Sequence, residues 1–181
     1  DIDPLASTEF TYSRFLVPAL MNYKGWAIFC DCDFLFFQDL ALLFESINED
    51  KALYCVKHDY APKERHKMNG KKQTLYPRKN WSSFMVFNCS HPSNKKLTTE
   101  IVNSESGSFL HQLKWLEDNE IGSIDERWNW LEGWTSKHNN ARPYAVHFTR
   151  GGPWFDEWKD VEFAKEWNDE KEKYLNKKFN S

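Results

Sequence analysis

The sequence predicts an α/β protein in which helices and strands alternate. An apolar run from Trp26 to Cys30 follows Lys24-Gly25 and has the length and composition of a strand buried on both faces. A helix over Leu40 to Ile47 and a second buried strand over Ala52 to Val56 come next, joined by short links. A strand, helix, strand unit of this kind implies a parallel pair with a right-handed crossover. The chain of 181 residues suits a single domain over residues 1–181.

The other elements are predicted from caps, breakers and apolar spacing. Ser7-Thr8 and Glu9 suit the start of a first helix, which Pro18 is expected to kink or shorten. Asp39 is the expected cap of the helix that begins at Leu40. The remaining predictions are a polar, basic loop from Pro62 to Lys79 that contacts phosphate or acceptor, a strand at Ser83 to Asn88, a helix from Thr98, a helix around Ser108 to Glu117, a short strand within Ile121 to Trp130, a strand at Tyr144 to Phe148, and an amphipathic C-terminal helix marked by Trp158 to Leu175.

Composition narrows the class of protein. A net charge of -3 argues against a nucleic-acid binder, which normally carries a basic excess. An aromatic content of 17% indicates either an aromatic core or a carbohydrate cleft, where flat rings meet the apolar faces of sugars. No stretch has the length and apolar character of a membrane span or the form of a signal peptide. Cys30, Cys32, Cys55 and Cys89 lack zinc-ribbon spacing and are predicted to be reduced core thiols of an intracellular protein.

Two acids come directly after the first predicted strand. Asp31 and Asp33 lie at its carboxyl end, which is where open α/β sheets bind ligands. Hard divalent cations prefer carboxylate oxygens, and two desolvated carboxylates this close repel unless a cation or a proton neutralises them. An Asp-x-Asp pair alone also fits a strand end with solvated acids, but its position after a hydrophobic run favours a metal site.

A second group of polar residues follows the last predicted strand. His147 ends that strand, and Arg150, Gly151 and Gly152 come shortly after it. Paired glycines let backbone N–H groups approach a phosphate closely, and the arginine supplies positive charge. An imidazole at a strand end is more often structural than a ligand, but with this turn beside it we expect a cation that bridges a diphosphate.

These residues and their order resemble the glycogenin-like, family 8 type of GT-A glycosyltransferase. The resemblance runs from Ser7 to about Trp158, and it includes a small bacterial and viral branch that shares Ser-Thr-Glu-Phe, Lys-Asn-Trp-Ser-Ser and His-Gln-x-Lys-Trp-Leu, found here at Ser7, Lys79 and His111. It implies a Rossmann-like, mixed but mainly parallel sheet flanked by helices. Members normally begin with a strand and a helix that hold the nucleotide base, and this chain is expected to lack both. The protein is expected to be cytoplasmic, in the cytosol of a bacterium or of a viral host.

The resemblance also implies ligands and roles. Mn²⁺ or Mg²⁺ would bind to Asp31, Asp33 and His147, together with the diphosphate of a nucleotide sugar, with a UDP-sugar the expected donor and a glycan or small molecule the acceptor. The anomeric configuration would be retained. Gln112 and Asp59 are the implied catalytic residues. The implied substrate-binding residues are Arg14, Asp31, Cys32, Asp59, Asn80, Trp81, Ser82, Ser83, His111, Gln112, Arg150, Gly151 and Gly152.

The chain departs from the family pattern at two places within the expected site. His111-Gln112-Leu113 replaces the frequent Asp-Gln-Asp, so the acids that flank the glutamine are missing. Gly152 stands where a lysine often precedes Pro-Trp, which leaves Arg150 or Lys79 as the phosphate partner.

Two other classes of protein remain open from sequence. A haloacid dehalogenase-type phosphotransferase also places Asp-x-Asp after a buried strand and would use Asp31 as the nucleophile. Phe34 and Leu35 do not match the small residue and hydroxyl that such enzymes usually carry next. A non-catalytic carbohydrate-binding domain is consistent with the tryptophans, since a fold alone does not establish activity.

Overall fold

The computed structural model describes residues 11–58, 78–135 and 141–179. The described residues form two compact units: one contains 11–31, 40–58 and 78–126, and the other contains 32–39, 127–135 and 141–179. The strands are β1 (Trp26–Cys30), β2 (Phe34–Phe36), β3 (Leu53–Cys55), β4 (Phe84–Asn88), β5 (Ile121–Ser123), β6 (Trp130–Leu131) and β7 (Ala145–His147). The α-helices are α1 (Val17–Leu20), α2 (Ala41–Phe44), α3 (Thr99–Ser104), α4 (Gly107–His111) and α5 (Ala164–Phe179).

The first unit is built on a four-stranded sheet in the order β1-β4-β3-β5. The predicted parallel pairing of the first two strands is wrong, because β4 lies between β1 and β3 and is antiparallel to both. The two strands therefore run in the same direction within one sheet without being neighbours. β5 pairs parallel with β3, which makes the sheet mixed, as predicted.

The second unit carries a three-stranded sheet in the order β2-β7-β6. β2 is antiparallel to β7, with Phe34 opposite His147, and β6 is parallel to β7. Among the described strands, three pairings are antiparallel and two are parallel, so the sheets are mixed as predicted but this part of the chain is not mainly parallel. Two of the antiparallel pairings come from β4, which lies between β1 and β3 and runs opposite to both.

Burial follows position within the sheet. Every residue of β4 is buried, because a strand flanks it on each side. The residues of β1 are only partly buried, so the prediction of a strand buried on both faces is wrong. β1 lies at one end of the strand order in the described part of the sheet, which leaves one of its sides without the cover that β4 receives.

Each unit has its own apolar core. In the first unit the core includes Phe15, Leu53, Met85, Phe87 and Leu110. In the second unit a smaller cluster consists of Leu35, Trp130, Val146 and Phe148, with Val161 and Trp167 packed against it. Trp167 lies on α5, so the predicted cover by the C-terminal helix is confirmed at its first turns. Much of the aromatic content therefore serves the core, which was one of the two predicted uses.

The helices confirm some predicted boundaries and correct others. The helix predicted from Thr98 is α3, and the Thr98 hydroxyl caps it by accepting a hydrogen bond from the Ile101 N–H. Asp39 does not take the cap position of α2, which Leu40 occupies without a side-chain hydrogen bond. Pro18 stands in the first turn of the short α1, where a proline is tolerated because the N–H it lacks has no partner within the helix.

Other predictions agree with the structure or fall outside it. The strands predicted at Ser83 to Asn88 and Tyr144 to Phe148 are confirmed as β4 and β7. The helix expected around Ser108 to Glu117 is shorter, since α4 ends at His111. The helix start at Ser7-Thr8 and most of the Pro62 to Lys79 loop lie outside the described residues. Among the described helices, none combines the length and the apolar character that crossing a bilayer requires.

The cysteines differ from the predicted set of core thiols. All four are free thiols, as predicted, and Cys55 and Cys89 are buried. Cys30 is only partly buried and Cys32 is exposed. The reason is local, because Cys32 belongs to the turn between β1 and β2 and not to a strand.

Thiol labelling tests this arrangement. Burial raises the pKa of Cys55 to about 12 and also raises the pKa of Cys89. At pH 8 roughly one Cys55 side chain in ten thousand is therefore a thiolate, and only the thiolate reacts. We expect iodoacetamide to modify Cys32 at least about tenfold faster than Cys55 in the native chain. Peptide mass spectrometry measures the rates, and equal rates in denaturant are the control. Equal rates in the native chain would contradict the described burial.

Candidate functional site

Asp33 and His147 are brought together by the pairing of β2 with β7. Asp33 immediately precedes β2, and its carbonyl accepts a hydrogen bond from the Phe148 N–H at 3.0 Å. This main-chain bond holds the carboxylate next to the end of β7. The Asp33 Oδ1 atom lies 3.3 Å from the His147 Nε2 atom.

The His147 ring is held in one orientation by two neighbours. Its Nδ1 lies 3.1 Å from the Asn129 Oδ1, and Asn129 is fully buried. Its face stacks on the Phe34 ring with centroids 4.5 Å apart. In the tautomer that carries its proton on Nδ1, the Asn129 oxygen accepts that proton in a hydrogen bond. In this tautomer Nε2 presents its lone pair to the Asp33 carboxylate.

In this tautomer two hydrogen-bond acceptors lie 3.3 Å apart. A lone pair on nitrogen and a carboxylate oxygen repel at this distance unless a positive charge lies between or beside them. A proton on Nε2 or a metal ion removes the repulsion. The site is thus suited to a cation by its donor atoms and not merely by its acidic composition.

Arg150 lies on the segment that follows β7. Its Nη2 donates to the Glu132 carboxylate at 2.9 Å, and its guanidinium lies 5.0 Å from the centre of the Trp158 ring. Gly151 has a φ of 138° and donates its N–H to the Phe148 carbonyl. A side chain at Gly152 would collide with the Trp154 ring, since a Cβ there would come within 2.1 Å of it. The predicted glycine turn therefore exists, and packing requires a glycine at its second position.

In the first unit, Asp31 is held by Arg14. The two side chains form a fork-like ion pair with contacts of 2.9 and 3.4 Å. The same guanidinium donates to the Ser82 carbonyl at 2.8 Å and to the Thr11 carbonyl at 3.0 Å. It also lies 4.8 Å from the centre of the Phe29 ring. Arg14 thus lies at the carboxyl end of β1, and most of its N–H groups are used within the protein.

The segment Asn80 to Ser83 packs against the same end of β1. The Asp31 N–H donates to the Ser83 carbonyl at 2.9 Å, and the Ser83 hydroxyl donates to the Asn80 carbonyl. The Ser82 hydroxyl lies 2.8 Å from His111 Nδ1. The structure therefore links Arg14, Asp31, Ser82 and His111 in one hydrogen-bonded chain. It does so although they are far apart in sequence.

Gln112 and Trp81 are held by other contacts. The Gln112 side-chain amide donates to the Ser108 hydroxyl at 3.0 Å, and the Gln112 main-chain carbonyl accepts a hydrogen bond from Arg78. The Trp81 indole N–H donates to the His58 carbonyl at 3.1 Å. Arg78 and Lys57 lie 5.4 and 5.8 Å from the centre of the Trp81 ring.

Three other predicted residues differ in exposure or lie outside the described part of the chain. Cys32 is exposed in the turn between the two acids. Lys79, the alternative phosphate partner, is buried with 7% exposure. Asp59 lies outside the described residues.

Two buried residues of the site were not predicted as site residues. Asn129 orients His147, and Glu132 holds Arg150 with only 3% of its surface exposed. The pair Trp128-Asn129 is part of the pattern that resembles the family, but it shows no ligand spacing and no role was predicted for Asn129. Glu132 follows the apolar pair Trp130-Leu131, and nothing in that pattern marks a buried acid.

Comparisons with known proteins identify the family of the chain. Residues 3–157 match the profile of the family described as glycosyl transferase family 8. Protein CDI of Arabidopsis thaliana is 57% identical over 173 residues, which are 94% of this chain and 67% of that protein. Because this relative is from a plant, the expected place in a bacterial or viral branch is not supported.

Solved structures share the fold. The apo form of the glycosyltransferase GlyE from Streptococcus pneumoniae TIGR4 superimposes with a TM-score of 0.59 at 15% identity, over 91% of this chain and 43% of GlyE. The galactosyltransferase LgtC, in complex with donor and acceptor sugar analogues, gives a TM-score of 0.55 at 13% identity, over 88% of this chain and 65% of LgtC. This chain thus spans less than half of GlyE and less than two thirds of LgtC. The likeness confirms the predicted mixed α/β, GT-A class of fold, and with the profile match over residues 3–157 it follows that the chain belongs to glycosyl transferase family 8.

Proposed function

We propose that the chain is the catalytic part of a metal-dependent glycosyltransferase. It moves a sugar from a nucleotide-diphosphate sugar, with a UDP-sugar as the expected donor, to a glycan or small-molecule acceptor. Retention of the anomeric configuration is part of the proposal. The observation that carries it is the 3.3 Å distance between the Asp33 carboxylate and Nε2 of His147, in a ring whose Nδ1 lies 3.1 Å from Asn129 Oδ1.

The donor atoms fit a hard divalent cation. Asp31, Asp33 and His147 offer two carboxylates and one imidazole. Asp31 is two residues before Asp33, so the length of the chain between them keeps their Cα atoms within about 7 Å. An oxygen-rich set with one nitrogen and no thiolate suits Mn²⁺ or Mg²⁺ better than Zn²⁺. When bound, such a cation supplies the positive charge that stabilises the departing nucleoside diphosphate.

The chain's own residues hold and orient the reactants. Asn129 fixes the His147 tautomer so that Nε2 is available as a ligand. Arg14 fixes the Asp31 carboxylate through two contacts, which limits its rotation. Arg150, with Gly151 and Gly152 after it, is the proposed contact for the diphosphate. Gln112 and Asp59 remain the proposed catalytic residues near the sugar.

The two rival functions have less support. The family match weakens the phosphotransferase hypothesis, and the ion pair with Arg14 leaves Asp31 a poorer nucleophile than a solvated acid would be. A domain that only binds sugar does not require an imidazole held beside a carboxylate. Trapping a phosphorylated Asp31 would revive the first rival. Sugar binding without any metal dependence would revive the second.

Substitution of the two contacting side chains tests the proposal. We expect Asp33→Asn and His147→Ala each to weaken Mn²⁺-dependent binding of a UDP-sugar at least tenfold, since each removes one ligand. Calorimetry with Mn²⁺ and with EDTA measures the effect over a panel of nucleotide sugars. Asp156→Asn, which changes an exposed acid of the same unit, is the matched control. Wild-type affinity in both variants would contradict the metal site.

Asn129 gives a second test with a built-in rescue. Asn129→Ala removes the acceptor for Nδ1–H and should lower Mn²⁺ affinity by about 10 to 100-fold. Asn129→Asp keeps an acceptor at this position, so it should retain most of the affinity. Electron paramagnetic resonance of Mn²⁺ measures the binding, and thermal unfolding checks that both variants fold. Equal affinities for the two variants would show that Asn129 acts only through packing.

A further inference from the structure

Glu132 is a buried acid that the proposed reaction does not yet use. Its side chain is 4% exposed, and its Oε2 lies 2.9 Å from Arg150 Nη2. A carboxylate this deeply buried is costly unless it is paired and hydrogen-bonded. Its pairing with Arg150 therefore holds both side chains in place.

The backbone around Glu132 is shaped to keep this pair. The Glu132 N–H donates to the His147 carbonyl at 3.0 Å, which continues the pairing of β6 with β7 beyond Leu131. Gly133 follows with a φ of +72°, and a Cβ there would lie 1.9 Å from Arg150 Nη2. Because Gly133 has no side chain, the turn leaves room for the Arg150 guanidinium.

The guanidinium is only partly used by this contact. Within the described residues, Nη2 makes the hydrogen bond to Glu132, while Nε is buried and has no hydrogen-bond partner there. The Arg150 side chain as a whole is 28% exposed. An anionic ligand can therefore reach the exposed part of the guanidinium but not the buried Nε.

We propose that Glu132 is a positioning residue that orients Arg150 towards an anionic ligand, the diphosphate, and offsets the charge of that arginine. This rests on the proposed function. With the guanidinium already paired, the local field on a diphosphate is weak until a divalent cation binds. Glu132 thereby makes diphosphate binding depend on the metal.

A charge-only substitution separates this role from a structural one. Glu132→Gln keeps an oxygen that accepts from Nη2 but removes the negative charge. The freed charge of Arg150 should then attract inorganic pyrophosphate in EDTA about tenfold more tightly than in the wild-type chain. Glu132→Ala, which also loses the orientation, should not gain affinity. If Glu132 had only a structural role, both substitutions would lower the affinity for pyrophosphate.

Calorimetry with inorganic pyrophosphate, in EDTA and then with Mn²⁺, measures the effect on the whole chain. Glu157→Gln makes the same charge change at an exposed position of the same unit and serves as the control. The Glu132→Gln, Arg150→Gln double variant should lose the gain, since the gain comes from the arginine. Thermal unfolding shows whether each variant is folded.

The outcomes distinguish the two proposals. If the wild-type chain binds pyrophosphate with Mn²⁺ but Glu132→Gln gains nothing in EDTA, the role of Glu132 is overturned and the metal site stands. If the gain appears while Mn²⁺ has no effect on any variant, Arg150 binds anions and the metal-dependent function is overturned. If no variant binds pyrophosphate under any condition, both proposals fail.

Discussion

The register of β2 against β7 is the constraint on which the candidate site depends. Phe34 lies opposite His147, and the Phe148 N–H bonds to the carbonyl of Asp33. Side chains alternate between the faces of a strand, so a shift of one residue would turn His147 away from Asp33. The apolar cluster of Leu35, Trp130, Val146 and Phe148 specifies this register, because a shift would also expose those side chains.

The apolar cluster stabilises the fold of this unit, and the buried polar residues beside it orient the side chains of the candidate site. Asn129 and Glu132 flank the two residues of β6, and each would be costly to bury alone. Each instead pairs with a side chain at or after the end of β7: Asn129 with His147, and Glu132 with Arg150. Polar groups that satisfy one another in this way hold a single arrangement, which a site for a metal or an anion requires.

Sequence reasoning succeeded where local chemistry determines the structure. The strand before Asp31, the cap at Thr98 and the strand ending at His147 follow from apolar runs and from side chains that bond their own backbone. It failed where distant segments decide, as with the insertion of β4 between β1 and β3. Asn129 and Glu132 were missed for the same reason, since their importance lies in what the fold places beside them.

The two acids of the Asp-x-Asp pair have different surroundings, and this bears on how they would bind a cation. Asp31 already has a guanidinium 2.9 Å away, which offsets its charge and lowers its attraction for a second cation. The Asp33 Oδ1 atom instead lies 3.3 Å from the Nε2 atom of His147. The two acids therefore differ in the group beside them, a guanidinium for Asp31 and an imidazole for Asp33. The repulsion expected between adjacent carboxylates is lowered on the Asp31 side by the positive charge of Arg14.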